Sequence, residues 1–510
     1  MKRFSHGGPR RFYGPAACRA SRVALVLFLC GACVLGAQDF WFDDAEDGAL
    51  AGQRGLGASG ELTSELLIFP QELRDNAGAA DWGNFVSAKL NIGASGPGAE
   101  AVLNFKLSPS TLVSSASGSL SQTPPVIDEL YLRVFLGPLT LETGLRKLAW
   151  GRADIQGPLD VTNPLDYTDL TKAGDTMGRK IARPMIHASL PLGGASTVEA
   201  VFIPSFQGHR YSLDTDDHWY PTAITSGRRD RMIDDLIGEL GRILPSMYPS
   251  LVGIGADMKT RAAGLTSSDL PDTRGLEYAQ GGLRFTTTLG PADIGAQYYC
   301  GHLFRPAFTL NGADDLLAAV SANPVLIASW TTSPPVLTPH ISYSRYHQMG
   351  FDYTQVIFDA SFRAEVAAHI TGDLGGDNGD VYNPFLAWSA GFDRDIVGLT
   401  FFVEVDESIR LLNDELGSNA ALDTEAGSPL TTTALTTQLS RTFFQDRLEA
   451  KFGLLWHIEA GDVYLMPSLS YRVDNVEAVL SGGIFAGRDG GELSQYRNKA
   501  YIKTALSYSF

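Results

Sequence analysis

From about residue 61 to the end of the chain, apolar and polar residues alternate with a period of two. Leu130, Leu132, Val134 and Leu136 are interleaved with Glu129, Tyr131, Arg133 and Phe135. Leu399, Phe401, Val403 and Val405 alternate with Thr400, Phe402, Glu404 and Asp406. The same rhythm runs through Leu448, Ala450, Phe452, Leu454 and Trp456, and through Val463, Leu465, Pro467, Leu469 and Tyr471. Successive side chains of a strand point to opposite faces, so each segment has one oily face and one wet face. A soluble sandwich alternates in the same way. Length separates the two: many segments run about ten residues, the span that a tilted strand needs to cross a bilayer.

The connectors add a second regularity. Tight turns at Ser95-Gly96-Pro97-Gly98, Gly137-Pro138, Gly193-Gly194, Gly290-Pro291, Arg394-Asp395, Gln445-Asp446 and Asp474-Asn475 alternate with longer polar stretches at 109–125, 149–181, 206–275, 302–337, 372–382, 408–430 and 487–497. Short turns at one end and long loops at the other are the signature of an outer-membrane barrel. The 459–462 connection is short for its side. Segment 351–371 is twice the usual length and reads as one tall strand, two strands, or a strand with a stretch folded inward. The expectation is an all-β, antiparallel transmembrane β-barrel of about 18 strands, with 16 as the alternative count, long extracellular loops and both termini in the periplasm. At the C-terminus Ile502, Thr504, Leu506, Tyr508 and Phe510 share one face, and Phe510 is the last residue. A closing strand of this kind resembles the sorting signal that the barrel assembly machinery reads. One segment departs from period two. Met232, Ile233, Leu236, Ile237, Leu240, Ile243 and Leu244 fall at helical spacing, which predicts one amphipathic helix over 228–245 inside the longest loop. Its oily face needs a partner, which is the barrel rim, the lumen or the lipid interface, with a lid over a binding site or a protein-docking helix as the alternatives.

The first 37 residues are of another kind. Lys2, Arg3, Arg10, Arg11, Arg19 and Arg22 precede the apolar run Val23–Leu35, and small residues end at Ala37. This is the form of a secretory signal peptide. The predicted division is signal peptide 1–37, periplasmic N-terminal segment 38–60 and barrel 61–510. Cleavage after Ala37 leaves Cys300 alone, which excludes an internal disulfide; lipidation at Cys33 is the alternative processing. Losing the six leader cations takes the net charge from −17 to −23, which argues against nucleic acid as a partner. No later segment reaches 18 consecutive apolar residues, so no transmembrane helix is expected.

The chain has no G-x-S-x-G elbow, H-E-x-x-H pair, Walker loop or paired CxxC, and neither an enzyme nor a cofactor is expected. His209 and His218 lie near Asp214, Asp216 and Asp217; this is read as a solvated acidic loop, with cation ligation as the alternative. Charge is costly on a lipid face, so charged strand residues belong to the lumen. There they either tune ion preference or pair across strands to hold the wall.

Residues 129–206 contain Gly144-Leu145-Arg146-Lys147-Leu148-Ala149-Trp150-Gly151, then Asn163-Pro164-Leu165-Asp166, Ala182-Arg183-Pro184 and Glu199-Ala200-Val201-Phe202. This stretch resembles a large family of outer-membrane barrels, mostly without assigned function, in which a G-R-Q-x-x-x-W-G strand precedes an N-P-x-D loop. Gly350, Asp352, Phe362-Arg363-Ala364-Glu365 and the aromatic end fit the same pattern. Lys147 stands where the family pattern has Gln. The resemblance implies a porin or substrate channel loosely akin to long-chain fatty acid transporters, and leaves the substrate open. Parity and the Pro-rich loop together nominate Arg133, Arg146, Trp150, Asp166, Arg183, Arg284, Arg363 and Glu365 as pore-lining, with Arg146, Trp150 and Asp166 helping to form a constriction. The functional expectation is an outer-membrane channel or transporter for small solutes or a hydrophobic ligand. The alternatives are a surface-exposed adhesin or ligand-binding barrel with a plugged lumen, and an outer-membrane lipid enzyme. Expected partners are outer-membrane lipid, the solute and the assembly machinery.

Overall fold

The computed structural model describes residues 55–70, 82–107, 127–155, 157–213, 217–261, 269–418, 423–489 and 491–510. The leader, Cys33 and most of the 38–60 segment lie outside the described residues. The alternating segments form β1 (Gly55–Ile68), β2 (Trp82–Ser95), β3 (Ala99–Leu107), β4 (Ile127–Leu136), β5 (Leu139–Arg146), β6 (Arg183–Gly193), β7 (Ser196–Ile203), β8 (Gln280–Leu289), β9 (Ala292–His302), β10 (Ala307–Asn311), β11 (Thr338–Ser342), β12 (Arg345–Ile357), β13 (Ala360–Thr371), β14 (Phe385–Ile396), β15 (Leu399–Arg410), β16 (Thr431–Phe443), β17 (Leu448–His457), β18 (Asp462–Val473), β19 (Val476–Ala486) and β20 (Tyr501–Ser509). All but β10 and β11 join one 18-stranded antiparallel sheet. It closes where β1 pairs with β20, from Glu61 opposite Ser509 to Ile68 opposite Ile502. Closure leaves no edge strand, which is what lets a sheet stand in hydrocarbon.

The two faces are inverted relative to a soluble protein. Leu132, Leu283, Leu480 and Leu506 point outward and are 42–57% exposed. Glu100, Glu142, Arg183, Arg284, Asp352, Glu365 and Glu404 point inward and are buried. A leucine belt of this kind is stable against lipid and unstable against water. Strand β1 begins at Gly55, ahead of the start expected at residue 61. Gly55, Gly57 and Gly60 interrupt the alternation there and hide it. Segment 351–371 holds parts of two strands, β12 and β13, joined at Phe358 and Asp359, whose φ values of 51° and 62° make a left-handed two-residue turn. The β14–β15 turn sits at Val397-Gly398 instead of Arg394-Asp395, and Arg394 pairs with Phe401 inside the ladder.

The expected helix is present as α1 (Ser226–Ile243), with Met232, Ile233, Leu236, Ile237 and Leu240 buried. The loops hold further helices beyond the single one expected. Helix α2 (Tyr248–Arg261) buries Leu251, Ile254, Gly255 and Met258. That spacing is helical, but Pro249, Gly253 and Gly255 are poor helix formers and mask it. Gly255 serves the packing, because a β-carbon there would come within 2.8 Å of Ile237. Helix α3 (Ala313–Ala322) and the β10–β11 ribbon complete a small core around Ile233, Leu236, Phe308, Val320, Ile327 and Ile341. The oily face of α1 is therefore covered by its own neighbouring loops.

Phe510 closes the barrel seam. Gly60 N–H donates to the Phe510 carbonyl at 2.8 Å and Phe510 N–H to the Gly60 carbonyl at 2.9 Å. A β-carbon on Gly60 would fall 2.5 Å from the Phe510 ring, so the aromatic covers a bare backbone. Gly60→Leu is expected to push the ring off and destabilise the barrel by about 1–3 kcal/mol, read as a lower urea midpoint for loss of heat-modifiable mobility.

Candidate functional site

Between β5 and β6 the chain turns into the barrel instead of away from it. Residues 147–182 are pinned at the root by Asn163, whose side chain accepts from Leu148 N–H at 2.8 Å and donates to the carbonyls of Arg146 at 3.0 Å and Ile181 at 2.9 Å. Thr162 donates to the Leu148 carbonyl at 2.5 Å. Lys180 reaches the same carbonyl at 3.1 Å and pairs with Asp160 at 2.7 Å. Lys147 is held by Asp128 at 2.8 Å.

The tip crosses to the far wall. Glu365 on β13 accepts backbone N–H groups from Arg152, from Ala153 at 2.8 Å and from Leu159 at 3.2 Å. Glu404 on β15 accepts from Asp154 at 2.9 Å and Ile155 at 3.3 Å. Arg363 pairs with Asp154 at 2.8 Å and with Asp393 at 2.6 Å. Gln297 and Gln348 bond the carbonyls of Leu159 and Pro158 at 2.9 and 2.6 Å. β-Carbons on Gly151 and Gly157 would lie 2.3 and 2.2 Å from the Glu365 oxygens. Glycine at both places is what admits the carboxylate, and Gly151 is also at φ +97°. An irregular backbone at membrane depth needs such partners.

The eight nominated residues fall into this framework. Arg133 bridges Glu100 at 2.8 Å and Glu142 at 2.7 Å. Arg146 pairs with Glu142 and lies over the Tyr131 ring at 5.1 Å. Trp150 is buried edge-on to Tyr299 and donates to Glu199 at 2.9 Å. Asp166 pairs with Arg210 and caps Thr168 N–H at 3.0 Å. Arg183 is buried and donates to the Ser205 carbonyl and, at 3.4 Å, to that of Thr162. Arg284 pairs with Asp352 at 2.7 Å and bonds Gln297 at 2.7 Å. Arg363 and Glu365 hold the tip. The structure brings Arg284, Arg363, Glu365 and the loop together on one wall. Arg133 and Arg146 belong to a separate charge ladder on β3–β6.

A cavity of about 530 Å3 lies between the inner loop and the β15–β20 wall. The loop contributes Ile155, Tyr167, Leu170 and Arg179; the wall contributes Asp406, Thr436, Gln438, Lys451, Leu455, Met466, Ser468 and Ser481. None of the eight nominated residues lines it. The missed signal is the run Thr431–Thr442, whose inward positions carry hydroxyl and amide groups and no charge.

At the long-loop end the cavity is roofed by Tyr211, Pro221, Glu492, Leu493, Gln495 and Tyr496. The strap formed by residues 209–213 and 217–225 rests on the inner loop, where Tyr167 N–H donates to the Arg210 carbonyl at 2.8 Å. Leu165 N–H donates to His209 Nδ1 at 2.9 Å. Burial and the Arg179 and Arg305 cations push His209 down to about 3, so the ring is neutral and can accept. Across the mouth, Gln495 accepts from Thr222 at 3.0 Å and Ala223 N–H at 2.8 Å. Trp219 packs against Tyr496, Tyr501 and Phe485. His218 stacks on Phe69 at 4.2 Å, and Asp214 and Asp216 lie outside the described residues. Residues 423–430 tie the cap to α1: Arg228 donates to the carbonyls of Asp423, Thr424 and Ala426. Thr424 also accepts from Phe308 N–H at 3.0 Å.

No family model and no curated protein matches the chain. Among solved structures, it is similar to mutants of the Rhodopseudomonas blastica porin at 10% identity, covering 89% of this chain and 100% of theirs with a TM-score of 0.36. An engineered protein described by its asymmetric conductivity gives the same identity and coverage at 0.37.

Removing the Glu365 carboxylate leaves three backbone N–H groups without their acceptor. Glu365→Ala is expected to loosen the tip by about 1–3 kcal/mol, read as faster amide exchange over 151–159. Burial pushes the Asp423 carboxyl from 3.8 up to about 6, against the pull of the Glu425 backbone N–H and the Arg228 and Arg410 cations, while the Glu425 charge adds to the rise. A raised folded-state value means stability complete below the ordinary 3.8 and lost as pH climbs through about 6. Limited proteolysis of the cap should therefore be faster at neutral pH than in acid, and Asp423→Asn should flatten that dependence.

Proposed function

We propose that the protein is an outer-membrane channel that passes small solutes, passively or by facilitated passage. The observation that carries this reading is the cavity of about 530 Å3 left inside the barrel beside the inner loop. A barrel of this strand number is too wide for side chains alone to fill. In this reading Trp150, Asp166, Arg183, Arg284, Arg363 and Glu365 act by shaping and holding the constriction. Arg133 and Arg146 stiffen the wall beside it. The solute meets Thr436, Gln438, Ser468 and Ser481 on the inner face of β16–β19. Outer-membrane lipid is the partner of the leucine belt, and the strand ending in Phe510 is the part offered to the assembly machinery.

A surface-exposed ligand-binding barrel with a closed lumen is the second reading. It is favoured by the separate hydrophobic core of the loop cap and by the strap across the mouth.

Single-channel recording of the refolded protein in a planar bilayer separates the two. The channel reading expects steady conductance, reduced by more than half in Ser481→Trp, whose ring fills the cavity. Gln495→Ala, which unlatches the strap, should raise the open fraction. A correctly folded barrel that conducts nothing, with and without the latch, would sink the channel reading in favour of the surface-binding one.

A further inference from the structure

The chemistry of the cavity wall narrows the solute class, on the premise that the cavity is the path. Its charged groups are largely committed to the protein. Arg179 donates to the carbonyls of Asp166 and Ala173 at 3.4 and 3.2 Å and lies over Tyr167 at 4.6 Å. His457 pairs with Asp462 at 3.0 Å and Lys451 with Glu449 at 3.5 Å. The acids Asp406 and Glu492 complete the charged lining and oppose an anion.

The hydroxyl and amide groups of the wall are in the opposite condition. Thr436, Gln438, Ser468 and Ser481 line the cavity and make no side-chain hydrogen bond among the described residues. Ser468 and Ser481 are direct cross-strand neighbours, and Gly453 stands opposite Gln438 with the Met466 side chain over it. Beside them a buried aromatic cluster closes the wall: Tyr464 and Phe485 stack on each other at 4.2 Å, and the Tyr464 hydroxyl is held by Tyr501 at 2.7 Å and the Leu170 carbonyl at 3.0 Å. Free donors and acceptors beside charges that are paired within the protein suit a neutral molecule carrying several hydroxyl groups. The volume lies within the range of about 300–1,000 Å3 common to small-molecule sites.

We infer that the cavity is a binding chamber for an uncharged solute bearing several hydroxyl groups. The hydroxyls bond to Thr436, Gln438, Ser468 and Ser481. Tyr211 and Pro221 cover the chamber from the long-loop side.

Isothermal titration of the refolded barrel in detergent, with folding checked by heat-modifiable mobility, tests this with two probes of one scaffold. p-Nitrophenyl β-glucoside is neutral and polyhydroxylated; p-nitrophenyl phosphate is anionic and lacks the hydroxyls. The expected result is saturable heat with the glucoside and none with the phosphate. Thr436→Val with Ser468→Ala should weaken the glucoside about tenfold or more. Equal binding of the phosphate, unchanged affinity in the double variant, or no saturable heat from a folded barrel would overturn the inference. Conductance without glucoside binding would fail this inference and leave the channel standing. Binding without conductance would fail the channel and leave the chamber.

Discussion

Every backbone N–H and C=O placed in the hydrocarbon layer has to find a partner inside the protein, because lipid offers none. The rest of this structure follows from that requirement. It forces the strands into a closed ring, and the ring forces one face of each strand to meet lipid and the other to meet the lumen. With 18 strands the enclosed space exceeds what side chains can fill. The chain therefore places backbone there as well, and the requirement returns in a second form. Residues 147–182 have no ladder to join, so carboxylates and amides on the barrel wall take the place of neighbouring strands.

This explains why so many inward charges serve the framework. Glu365 and Glu404 accept backbone N–H groups, while Arg363 and Arg284 offset the negative charge gathered on the same wall. A buried carboxylate with several donors is stable where an unpaired one is not. The result is an asymmetric lumen. The β3–β15 arc is laced with ion pairs, much of it covered by the inner loop, and the β16–β19 arc, with fewer charges, is left open to the cavity. The cavity lies along the second arc because the loop is bolted to the first.

The cap obeys a different rule. Outside the membrane, α1 and α2 would expose their oily faces to water, and they are stable because α3 and the β10–β11 ribbon bring complementary apolar residues from another loop. Residues 423–430 join through Arg228 and Thr424 rather than through apolar packing. The cap and the inner loop meet at Asp166 and Arg210, so the roof of the cavity and its inner wall are mechanically joined.

The period-two alternation, the turn residues and the aromatic end were enough to read an antiparallel barrel of 18 strands. Each is a local property: side-chain parity and turn chemistry are set within a few residues. The α1 helix was legible for the same reason. What local pattern could not supply was the destination of the long loops. Arg363 and Glu365 are recognisable as inward, but only the folded chain shows that they meet Asp154 and the backbone of 152–159, more than 200 residues away. Parity assigns a face, and it says nothing of what stands opposite across a lumen. The lining residues were passed over for a related reason. Thr436, Ser468 and Ser481 look ordinary in sequence, and they line the cavity because the inner loop leaves their arc uncovered. Sequence alone determined which residues face lipid and which face inward; tertiary structure decided which inward residues are consumed in holding the loop and which remain free, because that depends on where one loop crosses the barrel.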